Sequence, residues 1–120
     1  MIGYVTLGTN DLTRACAFYD AILEKIGAKR LYENDKLFAW GFGKDKPLIV
    51  LNTPFDGHDA SFGNGSMVAL RVPDKETVDE MHAIALGLGA DDEGAPGLRG
   101  ESFYGAYCRD PDGNKLNFHC

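Results

Sequence analysis

The feature that most constrains this chain is an internal repeat. Val5, Asp11 and Gly27 return as Val68, Asp74 and Gly89 at a nearly constant offset. In the first copy Tyr4-Val5-Thr6-Leu7-Gly8 alternates polar and apolar, the period of a half-buried strand. Asn10 or Asp11 then offers a helix cap. Leu12, Ala15, Phe18 or Tyr19, Ile22 and Ile26 recur at helical spacing until Gly27 stops the run. In the second copy residues 67–72 alternate, Asp74 offers the cap, and Val78, Met81, Ala85 and Leu88 mark an apolar stripe that ends at Gly89. A strand and helix repeated at one offset predict two copies of one supersecondary unit.

Three further strands are expected in the first half, over 28–32, 37–42 and 48–52, because the segments between them are short and polar, as hairpin loops are. After a loop of glycine and small polar residues over 53–66, the plan restarts. Near the end, two β-forming runs flank Asp110-Pro111-Asp112-Gly113-Asn114. Proline pre-sets φ there, aspartate can bond the local backbone and glycine supplies positive φ, so a tight hairpin is predicted. The residues over 91–102 mark no strand of their own, and symmetry supplies one. The reading is α+β, two βαβββ modules, module one over 1–58 and module two over 65–120.

At 120 residues, 44% hydrophobic and 25% charged, the chain can bury a core of its own, as one domain, without disulfides or a structural metal. A formal charge of −6 argues against nucleic-acid or anionic-membrane partners, which call for a dense field of Lys and Arg. Cys16, Cys108 and Cys120 are odd in number and lack CxxC spacing, so neither a disulfide framework nor a thiolate zinc cluster is indicated. The absence of a signal-like opening and of a membrane-length apolar run leads to the expectation of a cytoplasmic protein.

The closing hairpin, a strand followed by Arg109-Asp110-Pro111-Asp112-Gly113-Asn114-Lys115-Leu116, resembles that of the vicinal oxygen chelate superfamily. That superfamily includes glyoxalase I, fosfomycin-resistance thiol transferases, extradiol dioxygenases and bleomycin-binding proteins. The opening from Gly8 to Tyr19, Gly-Thr-Asn-Asp-Leu-x-Arg-x-x-x-Phe-Tyr, fits the same resemblance. It implies that the two modules curl into a half-open mixed β-barrel with helices outside. Metal-dependent members carry histidine near the start of the first strand, histidine at the start of the fifth and glutamate on the eighth. At those positions this chain has Tyr4, Met67 and Asn117. A phenol, a thioether and a neutral amide are poor ligands for a hard or borderline divalent cation, so no metal or other cofactor is expected.

Alternation assigns Val5, Leu7, Val68, Leu70, Val72, Leu116 and Phe118 to the helix-packing faces. It leaves Tyr4, Thr6, Met67, Ala69, Asn117 and His119 to line a ligand pocket. Phe38, Trp40 and Phe42 alternate and are expected to add an aromatic wall. Tyr107 joins the lining, as the position aligned with it does in the fosfomycin-resistance relatives. Arg99, in a glycine-containing segment, is placed to grip a carboxylate or phosphate.

His119 is the candidate acid or base, because an imidazole in a pocket exchanges protons near neutral pH. His58 and His82 read as a solvated loop histidine and a helix-boundary histidine, and no thiol has a neighbouring base in sequence. Two functions follow. One is a metal-free pocket for an unidentified small organic molecule, like the bleomycin-binding branch. The other is a metal-free lyase, isomerase or transferase of the glyoxalase type using His119. The resemblance further implies a homodimer with the pocket shared across its interface.

Overall fold

The computed structural model of the chain describes residues 1–120. The chain divides into two compact units, Met1–Ser61 and Phe62–Cys120. Each is a βαβββ module, and together they hold two helices and eight strands in two four-stranded mixed sheets, the predicted α+β class.

The first unit runs β1 (Tyr4–Gly8), α1 (Leu12–Glu24), β2 (Lys29–Glu33), β3 (Leu37–Gly41) and β4 (Leu48–Asn52), with sheet order β1-β4-β3-β2. β1 lies parallel to β4, Tyr4 beside Leu48 and Gly8 beside Asn52, while the other pairs are antiparallel. A parallel pair cannot be closed by a hairpin, so the intervening helix and strands form the crossover. Asp11 starts α1 by accepting the Arg14 N–H at 3.0 Å, and its own N–H goes to Thr9 Oγ1. Gly27, at φ +81°, ends it: the Gly27 and Ala28 N–H groups return to the Glu24 and Leu23 carbonyls.

Phe18, Tyr19, Ile22 and Leu23 of α1 are buried, as are Trp40 and Leu51. Each such side chain removed from water contributes about 1.5–3 kcal/mol. Trp40 belongs to this core and not to the face of Tyr4 and Thr6. On β3, Phe38 and Trp40 stand opposite Leu51 and Ile49 of β4, whereas Leu37 and Ala39 stand opposite Asn52 and Val50. Cross-strand partners share a face. Trp40 is 1% exposed, packs near Tyr19, and donates its indole N–H to Asp20 Oδ1 of α1 at 2.8 Å. Of the expected aromatic wall, Phe38 and Trp40 are therefore on the helix-packing face, with the Arg30 guanidinium 4.7 Å from the Phe38 ring centroid, while Phe42 falls just past β3 and is exposed.

The second unit repeats the plan: β5 (Val68–Arg71), α2 (Lys75–Gly87), β6 (Asp91–Arg99), β7 (Phe103–Arg109) and β8 (Lys115–His119), in the order β5-β8-β7-β6. Asp74 caps α2 through Thr77, and Gly89 at φ +98° ends it with the same pair of backbone bonds that closes α1. β6, unmarked in the sequence, is a nine-residue strand paired with β7 through register shifts at Asp92/Gly94 and Gly94/Gly97. Bulges of this kind accommodate Gly94, Pro96 and Gly97, which erase the alternation a strand normally shows.

The predicted hairpin turn is held by Asp110, which is buried. Its Oδ1 accepts the Asp112 and Asn114 N–H groups at 2.9 Å each, and its Oδ2 accepts Asn114 Nδ2 at 3.0 Å. Arg109 Nη1 donates to the Gly113 carbonyl, and the Phe62 ring covers Gly113 with the Arg109 guanidinium 5.1 Å from its centroid. This turn fixes Arg109 opposite Lys115, Tyr107 opposite Asn117 and Gly105 opposite His119.

Gly113 has φ +89°, and a Cβ there would collide with the Phe62 ring; Gly89 has a similar φ but meets only Pro111 Cγ, at 3.9 Å. Gly113→Ala should therefore cost more stability than Gly89→Ala, about 2–4 against about 1 kcal/mol in urea denaturation. Equal costs would show that Phe62 does not seal the turn.

Candidate functional site

In the first unit the sheet face opposite α1 is open. Tyr4, Thr6, Tyr32, Ala39, Val50 and Asn52 help to line a concavity of about 360 Å³ there, and Tyr4 is 65% exposed. A second hollow of about 510 Å³ includes Asn10, Lys36, Asn52, Phe55 and His58. His58 is exposed, with Nδ1 3.3 Å from Asp56 Oδ2, as expected for a solvated loop residue.

In the second unit, strand pairing sets Ala69 beside Asn117 and Arg71 beside His119, with Tyr107 and Gly105 opposite those two across β7. These residues share the sheet face that Leu116 and Phe118 do not. Met67, immediately before β5, is 45% exposed. Asn117 is 1% exposed and donates Nδ2 to the Ala106 carbonyl at 3.0 Å, in space that the missing side chain of Gly105 leaves free. His119 is half-buried and stacks on Phe103, ring centroids 4.9 Å apart, and no protein group hydrogen-bonds its nitrogens. Period-two parity also puts Arg71 and Lys115 on this face. The sequence reading missed both, although the alternation that selected Ala69 and Asn117 selects them equally.

Cations crowd this face. The Arg99 guanidinium lies 5.6 Å and Lys115 Nζ 5.8 Å from the Tyr107 ring centroid, whereas Arg109 is paired with Glu93. The Arg109 hydrogen bond holds the Glu93 carboxyl below its usual range. The Asp92 carboxyl is also lowered, first by the Gly94 N–H and then by His82. His82 is buried on α2 with Nε2 3.1 Å from Asp92 Oδ1, a brace between helix and β6. Tyr104 likewise braces β7 to α2: its hydroxyl donates to Asp79 Oδ1 at 2.6 Å, which pushes the phenol pKa up. No three His, Cys, Asp or Glu side chains group so as to hold a metal ion.

Two βαβββ modules, each closing its sheet with a parallel first-to-last strand pair and leaving one face uncovered by its own helix, define a class of paired βαβββ-module proteins. The chain belongs to the glyoxalase/bleomycin resistance protein/dioxygenase superfamily, whose family model matches residues 1–118. A glyoxalase/bleomycin resistance protein from Albidiferax ferrireducens T118 is similar at 33% identity and a TM-score of 0.90, over 99% of this chain and 97% of that one. A glyoxalase/bleomycin resistance protein/dioxygenase family enzyme from Burkholderia phytofirmans PsJN, at 23% identity and TM-score 0.77 over 98% and 95% of the two chains, shares the fold. So does a lactoylglutathione lyase from Agrobacterium tumefaciens, at 23% identity and TM-score 0.70 over 99% and 92%. No curated protein matches the sequence. No helix is long and apolar enough to cross a membrane.

Burial pushes the Cys108 thiol up to about 12 and the Cys16 thiol up to about 11, the latter against the opposing charge of Arg30. Neither is a nucleophile at neutral pH. Iodoacetamide at pH 8 should modify the native protein once, at half-exposed Cys120. A second adduct on folded protein, seen by intact mass, would mean that one of the two buried thiols is reachable.

Proposed function

We propose that this chain binds a small organic molecule against the open faces of its sheets, with no divalent metal at Tyr4, Met67 and Asn117. The observation that carries the reading is Asn117. It stands where the metal-dependent relatives carry glutamate, yet its side chain is a neutral amide whose Nδ2 is spent on the Ala106 carbonyl. With a phenol at Tyr4 and a thioether at Met67, the three positions offer no carboxylate and no imidazole, and the donor set does not fit a hard or borderline cation. What they offer instead is apolar and polarizable contact, joined by Thr6 and Ala69, the ordinary lining of an organic pocket.

A homodimer with the pocket shared by two copies, in the cytoplasm, completes the proposal. The dimer is supported by the family resemblance, and the compartment by three cysteines that form neither a disulfide nor a CxxC pair.

A second reading has its own observation. His119 has both ring nitrogens free of protein partners and shares a face with Tyr107 and Asn117. That is the arrangement of a proton carrier facing a ligand, and it supports metal-free lyase, isomerase or transferase chemistry.

Native mass spectrometry of gently purified protein, paired with elemental analysis, tests the proposal. The expected result is a dimer carrying an organic adduct and no stoichiometric metal. Stoichiometric metal would overturn it. If the adduct is a substrate, His119→Ala should abolish its turnover while binding and folding persist. Equal loss of stability and activity would instead assign His119 to the sheet wall with Phe103.

A further inference from the structure

The chain carries 18 acidic and 12 basic side chains; Arg30 pairs with Asp20 and Glu33, and Arg109 with Glu93. Arg99 and Lys115, like Arg71 and several lysines, make no close ion pair, and what sets them apart is where they stand. Both stand against one aromatic ring, that of Tyr107, and the Glu93 carboxylate, hydrogen-bonded to Arg109, also feels the charge of Lys115.

Arg99 is moreover held in place. A Cβ on Gly94 would lie 3.2 Å from its Nη2, and one on Gly97 would lie 3.1 Å from its Nη1, so the guanidinium occupies space that two glycines of β6 leave open. Its Nη2 donates to the Ala95 carbonyl at 2.7 Å. One donor is thereby used to orient the group and the other N–H groups stay available, which lowers the rotamer entropy that a flexible arginine loses on binding. The same Gly94 position is 3.1 Å from Tyr107 Cδ2, so the bulged strand packs on the ring that both cations approach.

We infer that Arg99 and Lys115, set about Tyr107, form a subsite for the oxyanion group of an organic ligand, a carboxylate, phosphate or phosphonate. Arg99 supplies planar, paired N–H donors, Lys115 supplies a point charge, and the Tyr107 phenol adds a hydrogen bond and an apolar ring for the adjoining carbon skeleton. Arg71, on the same sheet face and without an ion-pair partner, extends the positive field. The assignment rests on the proposed organic pocket and gives its guest a charge opposite in sign to the one that the chain's net balance favours.

The test is an amide-resolved NMR titration of the whole chain in chelator-resin-treated buffer, with phenylphosphonate, benzoate and phenyltrimethylammonium as probes. Phenylphosphonate or benzoate should shift the Gly94, Arg99 and Tyr107 amides, and the effect should weaken with added salt. Arg99→Gln and Lys115→Gln should each weaken binding about tenfold, with Arg99→Lys recovering only part of the loss. Preference for phosphonate or for benzoate tells which oxyanion the subsite takes.

Equal or stronger shifts with phenyltrimethylammonium would overturn the inference. So would anion binding untouched by both Gln variants, or no shift with either anion at millimolar concentration. Metal found at Tyr4, Met67 and Asn117 would defeat the metal-free reading without altering these titrations, so the two failures are separable.

Discussion

The register of the β7–β8 hairpin is the constraint on which the second unit depends. Asp110 gathers three N–H donors of its own turn, and Phe62 covers the glycine that makes the reversal possible. Side chains on a strand alternate with period two, so a slip of one residue would send Leu116 and Phe118 to solvent and Asn117 and His119 into the helix packing. Five residues of turn chemistry thus decide which side chains the open sheet face presents. They act through backbone geometry, far more than through any affinity of their own.

The same logic explains what was legible in the sequence. Both helices were readable because each begins at an aspartate whose carboxylate caps it and ends at a glycine in the left-handed region, and those residues recur at one offset. The faces of β1, β5 and β8 followed from alternation. β6 was not readable, because its two register shifts break the period that reveals a strand. Trp40 was readable as a strand residue but not as a helix-facing one. Alternation gives two faces without saying which is covered, and the deciding partner, Asp20, lies twenty residues away on α1.

The candidate site was legible to the same degree. Tyr4, Thr6, Ala69, Tyr107, Asn117 and His119 stand on the open faces, and Met67 is exposed just before β5. Arg99 was singled out by its residue type, but what holds it, the empty Cβ positions of Gly94 and Gly97, depends on the bulged path of β6 and has no linear signature. The family fixes the scaffold, and the residues on it set the chemistry. Here they set an amide, a phenol and a thioether at Asn117, Tyr4 and Met67, and cations around Tyr107.

The metal-free proposal holds that Tyr4, Met67 and Asn117 stand at a metal site's positions with side chains that do not hold the metal. The most direct measurement is the thermal stability of the Tyr4→His, Met67→His, Asn117→Glu triple variant with and without zinc, nickel or manganese. A ligand that binds only the folded state raises its midpoint, so the variant should be stabilised by one of these ions while the parent chain is indifferent to all three. A folded triple variant that no divalent ion stabilises, or a parent chain stabilised as strongly, would contradict the account.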